Sequence, residues 1–236
     1  MLGDIHGNRE ALSAVIEDAK THGVDAYASV GDVVGYNADP GPCIEILAEL
    51  ECVAVRGNHD QYCVVTESDD GMSDIALAAV RWTRRNLRDD HRCFLRELPL
   101  SQDIHGFTLV HNSLAAFGNW LYVFDPVDAE DHFYFQKNRV CFHGHTHVPV
   151  LFRKRRGVTC REYGQVKLGR GTRYFVNAGS VGQPRDRDPR AAYVLYDMEA
   201  DTIELRRVPY PIEKAQRAVH AAGLPGFLAM RLSVGV

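Results

Sequence analysis

The chain has 236 residues, 45% of them apolar and 25% charged, an ordinary balance for a folded protein of one large or two small domains. That excludes a disordered tail, a collagen-like fibre and a disulfide-built mini-protein. The net charge of −4 argues against dedicated nucleic-acid binding, no apolar run is long enough for a membrane helix, and Met1-Leu2-Gly3-Asp4-Ile5-His6 is not a signal peptide. A cytoplasmic location is expected. The six cysteines are scattered without a C-x-x-C pair, so they read as small buried apolar residues in a reducing compartment rather than a zinc or redox motif.

Leu12, Val15, Ile16 and Ala19 recur at helical spacing, and Gly23 stops that helix. Residues 24–30 read as a strand, Ile44, Leu47 and Ala48 as a second helix behind Pro40 and Pro42, and 52–55 as the next strand. Ser73 or Asp74 caps a long helix through Leu87, and Asp90 opens another through Leu98. Strands alternating with helices predict crossover units and a largely parallel sheet. The second half is richer in strands, at 107–110, 140–142, 148–152, 173–176, 192–196 and 202–208. A closing helix spans 212–222, and Gly223-Leu224-Pro225 breaks it before a last short helix. No boundary is visible, so a single domain over 1–236 is expected, with a helical tail from about 209.

In open α/β sheets, ligands collect at the carboxyl ends of strands. Here those ends carry Asp4-x-His6, Gly31-Asp32, Gly57-Asn58-His59-Asp60, His111 and Gly144-His145-Thr146-His147. Each alone has an ordinary explanation: a helix cap, a turn or a core histidine. Together they make a set of carboxylate, amide and imidazole donors suited to two divalent ions, with Asp32 the best candidate to bridge them. Mixed nitrogen and oxygen donors suit Mn, Fe, Zn or Ni, manganese favoured, over Ca or Mg.

The order Gly3-Asp4-Ile5-His6-Gly7-Asn8, Gly31-Asp32-Val33-Val34-Gly35-Tyr36, Gly57-Asn58-His59-Asp60, His111, Gly144-His145-Thr146-His147 resembles the calcineurin-like metallophosphoesterase family. It is nearest the small bacterial and archaeal branch related to diadenosine tetraphosphatases, which residues 142–149, 177–185 and 222–225 also resemble. The resemblance implies an α/β fold: a four-layer α/β/β/α sandwich of two mixed sheets flanked by helices. It implies one metal on Asp4, His6, Asp32 and His147, a second on Asp32, Asn58, His111 and His145, and His59 as the catalytic acid. His143 falls outside that ligand set and reads as packing or support.

The implied reaction is phosphoester hydrolysis, as phosphatase or phosphodiesterase, in which a metal-activated hydroxide attacks phosphorus in line and His59 protonates the leaving oxygen. Asn58, Gln183 and Arg185 are candidate substrate contacts. Asp60 either orients His59 or closes a surface turn. The basic run at 153–156 reads as a solvated hairpin, with steering of an anionic substrate as the alternative. The expected partners are a small phosphoester or nucleotide substrate and a second copy in a homodimer. Some positions depart from the pattern. Only Met1, Leu2 and Gly3 precede Asp4, so either the native start lies upstream or the first strand is frayed. Val34-Gly35-Tyr36-Asn37 lacks the phosphate-clamping arginine of serine/threonine protein phosphatases, and Ala178 stands where a proline is usual. The rival reading is a catalytically inactive scaffold on the same fold. A nuclease would call for a larger basic groove and added domains.

Overall fold

The computed structural model describes residues 1–65, 72–115 and 117–236. Its first half runs α1 (Arg9–Thr21), β1 (Ala28–Ser29), α2 (Pro40–Glu49), β2 (Val53–Ala54), α3 (Asn58–Val64), α4 (Asp74–Asn86), α5 (Asp89–Glu97), β3 (Ser101–Ile104) and β4 (Phe107–Val110). Next come α6 (Pro126–Phe135), β5 (Val140–His143), β6 (Leu151–Lys154), β7 (Val158–Arg161), β8 (Gln165–Lys167) and β9 (Arg173–Asn177). The chain closes with β10 (Ala191–Asp197), β11 (Thr202–Val208), α7 (Ile212–Ala221) and α8 (Gly226–Leu232). Among the described residues no helix is long and apolar enough to cross a membrane.

One mixed sheet has the order β3-β4-β5-β9-β6-β7, in which β4, β5 and β9 run parallel and the remaining neighbours antiparallel. The second layer is assembled from two pieces. β1 and β2 pair in parallel, and β10-β11-β8 is antiparallel. Met1 and Leu2 join them. Leu2 bridges Ser29, and Met1 donates its amine to the Val194 carbonyl (2.7 Å) while accepting from the Val194 N–H (3.0 Å). The segment before Asp4 is thus a single bridge residue instead of a strand, but it is tied on both sides and Leu2 is buried.

Strand side chains alternate between faces, and that alternation builds the layers. Leu109, Phe142, Leu151 and Val176 pack between the sheets with Val30, Val55 and Val194. Their neighbours Val110, Cys141, Phe152 and Phe175 face the other way, onto Ala129 and Phe133 of α6. On the far side, Leu12, Val15, Ile16 and Ala19 of α1 and Leu47 of α2 cover Leu2, Ala191 and Tyr193. α1 starts where the Asn8 side chain accepts from the Ala11 N–H (3.1 Å), directly after the Asp4-x-His6 loop. Two strands differ most from expectation. The strand expected over 24–30 is confined to Ala28–Ser29, and at its C-terminal end Gly31 (φ +96°) turns the chain away into the site. The strand expected from 148 starts at Leu151, since Pro149 has no N–H to give a ladder.

His132 of α6 and His143 of β5 stack on Phe175, at 3.4 Å and 3.7 Å between centroids. Both are buried, so His143 is a packing residue. Burial, with a lesser push from Arg173, holds His132 down to about 3. The unfolded chain binds this proton near pH 6.5 and the folded one does not, so stability is lost as pH falls from about 6.5 towards 3. His132→Phe should remove roughly 3 kcal/mol of the stability difference between pH 7 and pH 4. Urea unfolding of both proteins at the two pH values, in the presence of chelator, checks this. An unchanged difference would mean His132 is protonated in the fold.

Candidate metal centre

The loops that leave β1, β2, β4 and β5, and the one between Leu2 and α1, meet at one edge of the sandwich. They are laced by backbone bonds: Asp4 N–H to Gly31 O (3.1 Å), His6 N–H to Asp32 O (2.9 Å), Gly144 N–H to His111 O (3.0 Å) and Gly182 N–H to Asp4 O (3.0 Å). Asp4, His6, Asp32, His145 and His147 all have left-handed backbones, with φ of 50°, 50°, 53°, 70° and 61°. Each such non-glycine residue costs about 1–2 kcal/mol, a cost offset by the lacing. The glycines in these motifs leave room for close approach. A Cβ on Gly57 would lie 2.1 Å from Asp32 Oδ1, and one on Gly144 2.3 Å from Asp4 Oδ2.

All seven residues expected as ligands come together. Asp4, His6, Asp32 and His147 form one buried group able to hold an ion, and Asp32, His111 and His145 another. Asp32 is common to both: its Oδ2 lies 3.6 Å from His6 Nε2 and 3.4 Å from His111 Nε2. Asn58 opens α3 and sets its Oδ1 3.0 Å from His111 Nε2. Asp4 accepts from the His145 N–H through both oxygens (3.1 Å each) and reaches 3.4 Å from His147 Nε2.

The imidazoles are oriented from behind. His6 Nδ1 donates to Val34 O (3.0 Å), His111 Nδ1 to Val30 O (2.8 Å), His147 Nδ1 to Gln183 O (2.6 Å) and His145 Nε2 to Trp120 O (2.9 Å). A carbonyl can only accept, so each of these nitrogens carries the proton and the opposite nitrogen of the neutral ring presents a lone pair. Those lone pairs converge: His6 Nε2 is 3.1 Å from His147 Nε2, and His111 Nε2 is 3.2 Å from His145 Nδ1. Acceptors facing acceptors at such distances repel unless a proton or a metal cation lies among them. The donor set therefore fits divalent cations, with second-sphere carbonyls of the kind that fix metal-ligating histidines.

Burial pushes Asp4 up to about 7, and it holds His6 and His147 well below the usual histidine range and His145 down to about 3. Burial also opposes charge on Asp32 and His111, but each outweighs it for the other. Asp32 stays well below the carboxylate range, and His111 is pushed up to about 9. Without an ion, a proton on His111 balances Asp32.

His59 differs from the four tied imidazoles. Neither of its ring nitrogens has a hydrogen-bond partner among the described residues, and Nδ1 is buried. Its ring sits 4.9 Å from that of His6 and 4.4 Å from that of Tyr36. Burial pulls it down to about 4, with Asp32 opposing and Arg185 assisting.

Asp60 neither orients His59 nor closes a surface turn. It is buried, and its carboxylate accepts from Val33 N–H (2.9 Å), Val34 N–H (3.2 Å) and Gly57 N–H (3.0 Å), pinning the Asp32 loop to the start of α3. Asp60→Ala would leave three buried N–H groups unpaired, at about 1–3 kcal/mol each. We expect at least about 3 kcal/mol lower stability in chemical denaturation, together with weaker metal retention. Wild-type stability would show that water or a loop shift satisfies those groups.

Gln183 is buried, and its side-chain oxygen accepts from Arg185 (2.9 Å) while its Nε2 has no partner. Arg185 lies over the Tyr36 ring, 5.6 Å from its centroid. Two aromatic neighbours escaped the sequence reading. Tyr122 stacks on His145 (4.2 Å), and Tyr36 packs 4.6 Å from His6. Tyr36 stood inside a recognised motif without a role, and nothing in the spacing around Tyr122 singles it out.

Known proteins carry the same architecture. A metallophosphoesterase from Sphaerobacter thermophilus is 36% identical and superimposes with a TM-score of 0.89, covering 100% of this chain and 97% of that one. A hypothetical protein from Pyrococcus horikoshii, at 22% identity, shares the fold with a TM-score of 0.80 over 100% of this chain and 97% of its own. An uncharacterized protein of Methanocaldococcus jannaschii is 35% identical over 240 residues, covering 100% of this chain and 97% of that protein. The family described as calcineurin-like phosphoesterase superfamily domain matches residues 1–201. With the fold, the donor cluster and that match in agreement, the chain belongs to the calcineurin-like phosphoesterase superfamily.

Proposed function

We propose that the protein is a phosphoester hydrolase dependent on two divalent transition-metal ions, manganese favoured, acting on a small phosphoester or nucleotide. The observation that carries this reading is the convergence of four imidazoles whose backs are tied to carbonyls and whose other nitrogens face Asp4, Asp32 and Asn58. Asp4, His6, Asp32 and His147 would hold one ion and Asp32, Asn58, His111 and His145 the other. When bound, such a pair activates water and neutralises phosphoryl oxygens.

The chain's own residues supply the rest. His59, with unengaged ring nitrogens beside the cluster, delivers a proton to the departing oxygen. Burial keeps it neutral alone, and the arriving phosphoryl charge favours its protonated form. Arg185 takes phosphoryl oxygens, and Gln183 holds Arg185 in place. The scaffold alternative conflicts with a proton-donor candidate and a ligand set that are both complete.

Elemental analysis of protein purified without chelator should find close to two transition-metal ions per chain. Hydrolysis of a phosphoester panel should vanish with chelator and return with Mn. Full activity in metal-free protein would overturn the proposal, and metal-loaded protein inert on the whole panel would favour the scaffold.

A further inference from the structure

The four imidazoles of the cluster are each held from behind by a carbonyl, and His59 is not. A histidine ring turns over a broad range about its last torsion unless something fixes it. A proton donor has to come within about 2.6–3.2 Å of the atom it serves, so an untied ring needs another restraint. For a buried side chain without a hydrogen bond, that restraint is packing.

The packing around His59 comes first from the bare backbone of Gly35. A Cβ there would lie 2.6 Å from His59 Nδ1 and 3.1 Å from its Cγ. It comes next from the ring of Tyr36, 4.4 Å away and inclined at 49°. Tyr36 is itself firmly held. Its backbone is left-handed, with φ +58°, which costs a non-glycine residue about 1–2 kcal/mol and persists only where the surroundings enforce it. Asn37 supplies part of that enforcement, donating to the His6 carbonyl through its N–H (3.1 Å) and its side chain (3.0 Å). The Tyr36 side chain packs against the apolar cluster of Val219, Leu224, Leu228 and Ala229 from the C-terminal tail. The tail thus reaches His59 through one aromatic ring.

We propose that Tyr36 is a positioning residue for the proton donor: its ring, wedged between the tail and His59, holds the imidazole facing the leaving oxygen. This rests on the hydrolase reading and on His59 as its acid. Tyr36 acts through His59, and the flat ring rather than the hydroxyl carries the role.

The test compares steady-state hydrolysis of an alkyl phosphoester and a nitrophenyl phosphoester of the same charge. Mn-loaded wild type, Tyr36→Ala, Tyr36→Leu and Tyr36→Phe are used, with ions counted in each preparation. Tyr36→Ala should lower kcat on the alkyl ester by about 10–100-fold, less than removing the donor, because a misplaced acid is still present. On the nitrophenyl ester the loss should stay below about threefold, since its leaving oxygen needs little help. Tyr36→Leu keeps apolar bulk against the tail without the flat ring, so it should show the same selective loss even where Tyr36→Ala folds poorly. Tyr36→Phe should restore the wild-type ratio between the two esters. In a His59→Ala background, Tyr36→Leu should cost nothing further, as expected of residues that act as one unit. Equal losses on both esters, missing ions or additive losses in the double variant would overturn the proposal. The orientation of the His59 ring in crystals of wild type and Tyr36→Leu reads the proposal without activity. A ring that stays ordered and unmoved would overturn it in any case, whereas a wild type inert on every ester would sink the hydrolase reading.

Discussion

Asp32→Asn should cost the protein both of its metal sites at once. The carboxylate lies within reach of His6 on one side and His111 on the other, and among the described residues no other single side chain belongs to both groups. The amide retains the size of the native side chain and an oxygen to accept the His59 N–H, bonded at 2.8 Å to Asp32 Oδ1. The fold should therefore survive. What is lost is the negative charge between two cations, and an NH₂ donor is set against histidine lone pairs. Loss of a mere supporting partner typically costs 10–100-fold in metal affinity, and loss of the bridge should exceed about 100-fold per ion. Elemental analysis should drop from close to two ions to below one, with phosphoester hydrolysis falling at least in proportion. A variant that keeps two ions would show that Asp32 does not bridge.

A pH signature accompanies this substitution. In the ion-free centre Asp32 pushes His111 up to about 9 against the effect of burial. A ligand must be bare, so loading has to expel that proton. Below about pH 9 the apparent affinity should fall by up to about tenfold per pH unit, and near pH 8 calorimetry in buffers of different ionisation enthalpy should register proton release. In Asp32→Asn the cause of the raised value is gone, so the release at pH 8 should shrink with it.

The cluster of candidate ligands was legible in the sequence because each member is a polar residue stranded at the end of an apolar run, and five such ends in one chain have few other uses. Of the first-half helices α1, α2, α4 and α5 were legible too; in α1, for example, Leu12, Val15, Ile16 and Ala19 repeat every turn. α3 was hidden because its seven residues begin inside the Asn58-His59-Asp60 motif and give no full turn of apolar repeat. β3 and β7 are edge strands of four residues with no buried position, and β8 is an edge strand of three, too short for its single buried Val166 to show an alternation. α6 carries Asp125-Pro126 and a reciprocal cap with Asp128, but its exposed Val127, Tyr134 and Phe135 blur the apolar stripe.

The function of Asp60 was not legible, because its three partners are backbone N–H groups, one of them Gly57 of its own motif and two more than twenty residues away in sequence. Sequence patterns report local periodicity and residue chemistry. Contacts that form only after folding, such as those of Asp60, carry no such pattern.

His59→Ala should separate chemistry from metal binding. His59 hydrogen-bonds to no ligand through its ring, and its backbone N–H to Asp32 survives truncation, so metal content should hardly change. A proton donor matters in proportion to the basicity of the leaving oxygen. An alkoxide is a poor leaving group and needs the proton, whereas nitrophenolate departs readily without it. Hydrolysis of an alkyl phosphoester should therefore slow by about 10²–10⁴-fold, the usual worth of a positioned acid. On a nitrophenyl ester of the same charge, the loss should be clearly smaller. Steady-state rates on the two esters, with metals counted in the same preparations, make the distinction. Equal losses on both esters with ions missing would make His59 a ligand. Equal losses with both ions present would point to a role in holding the phosphoryl group, because the leaving oxygen would then not feel the substitution.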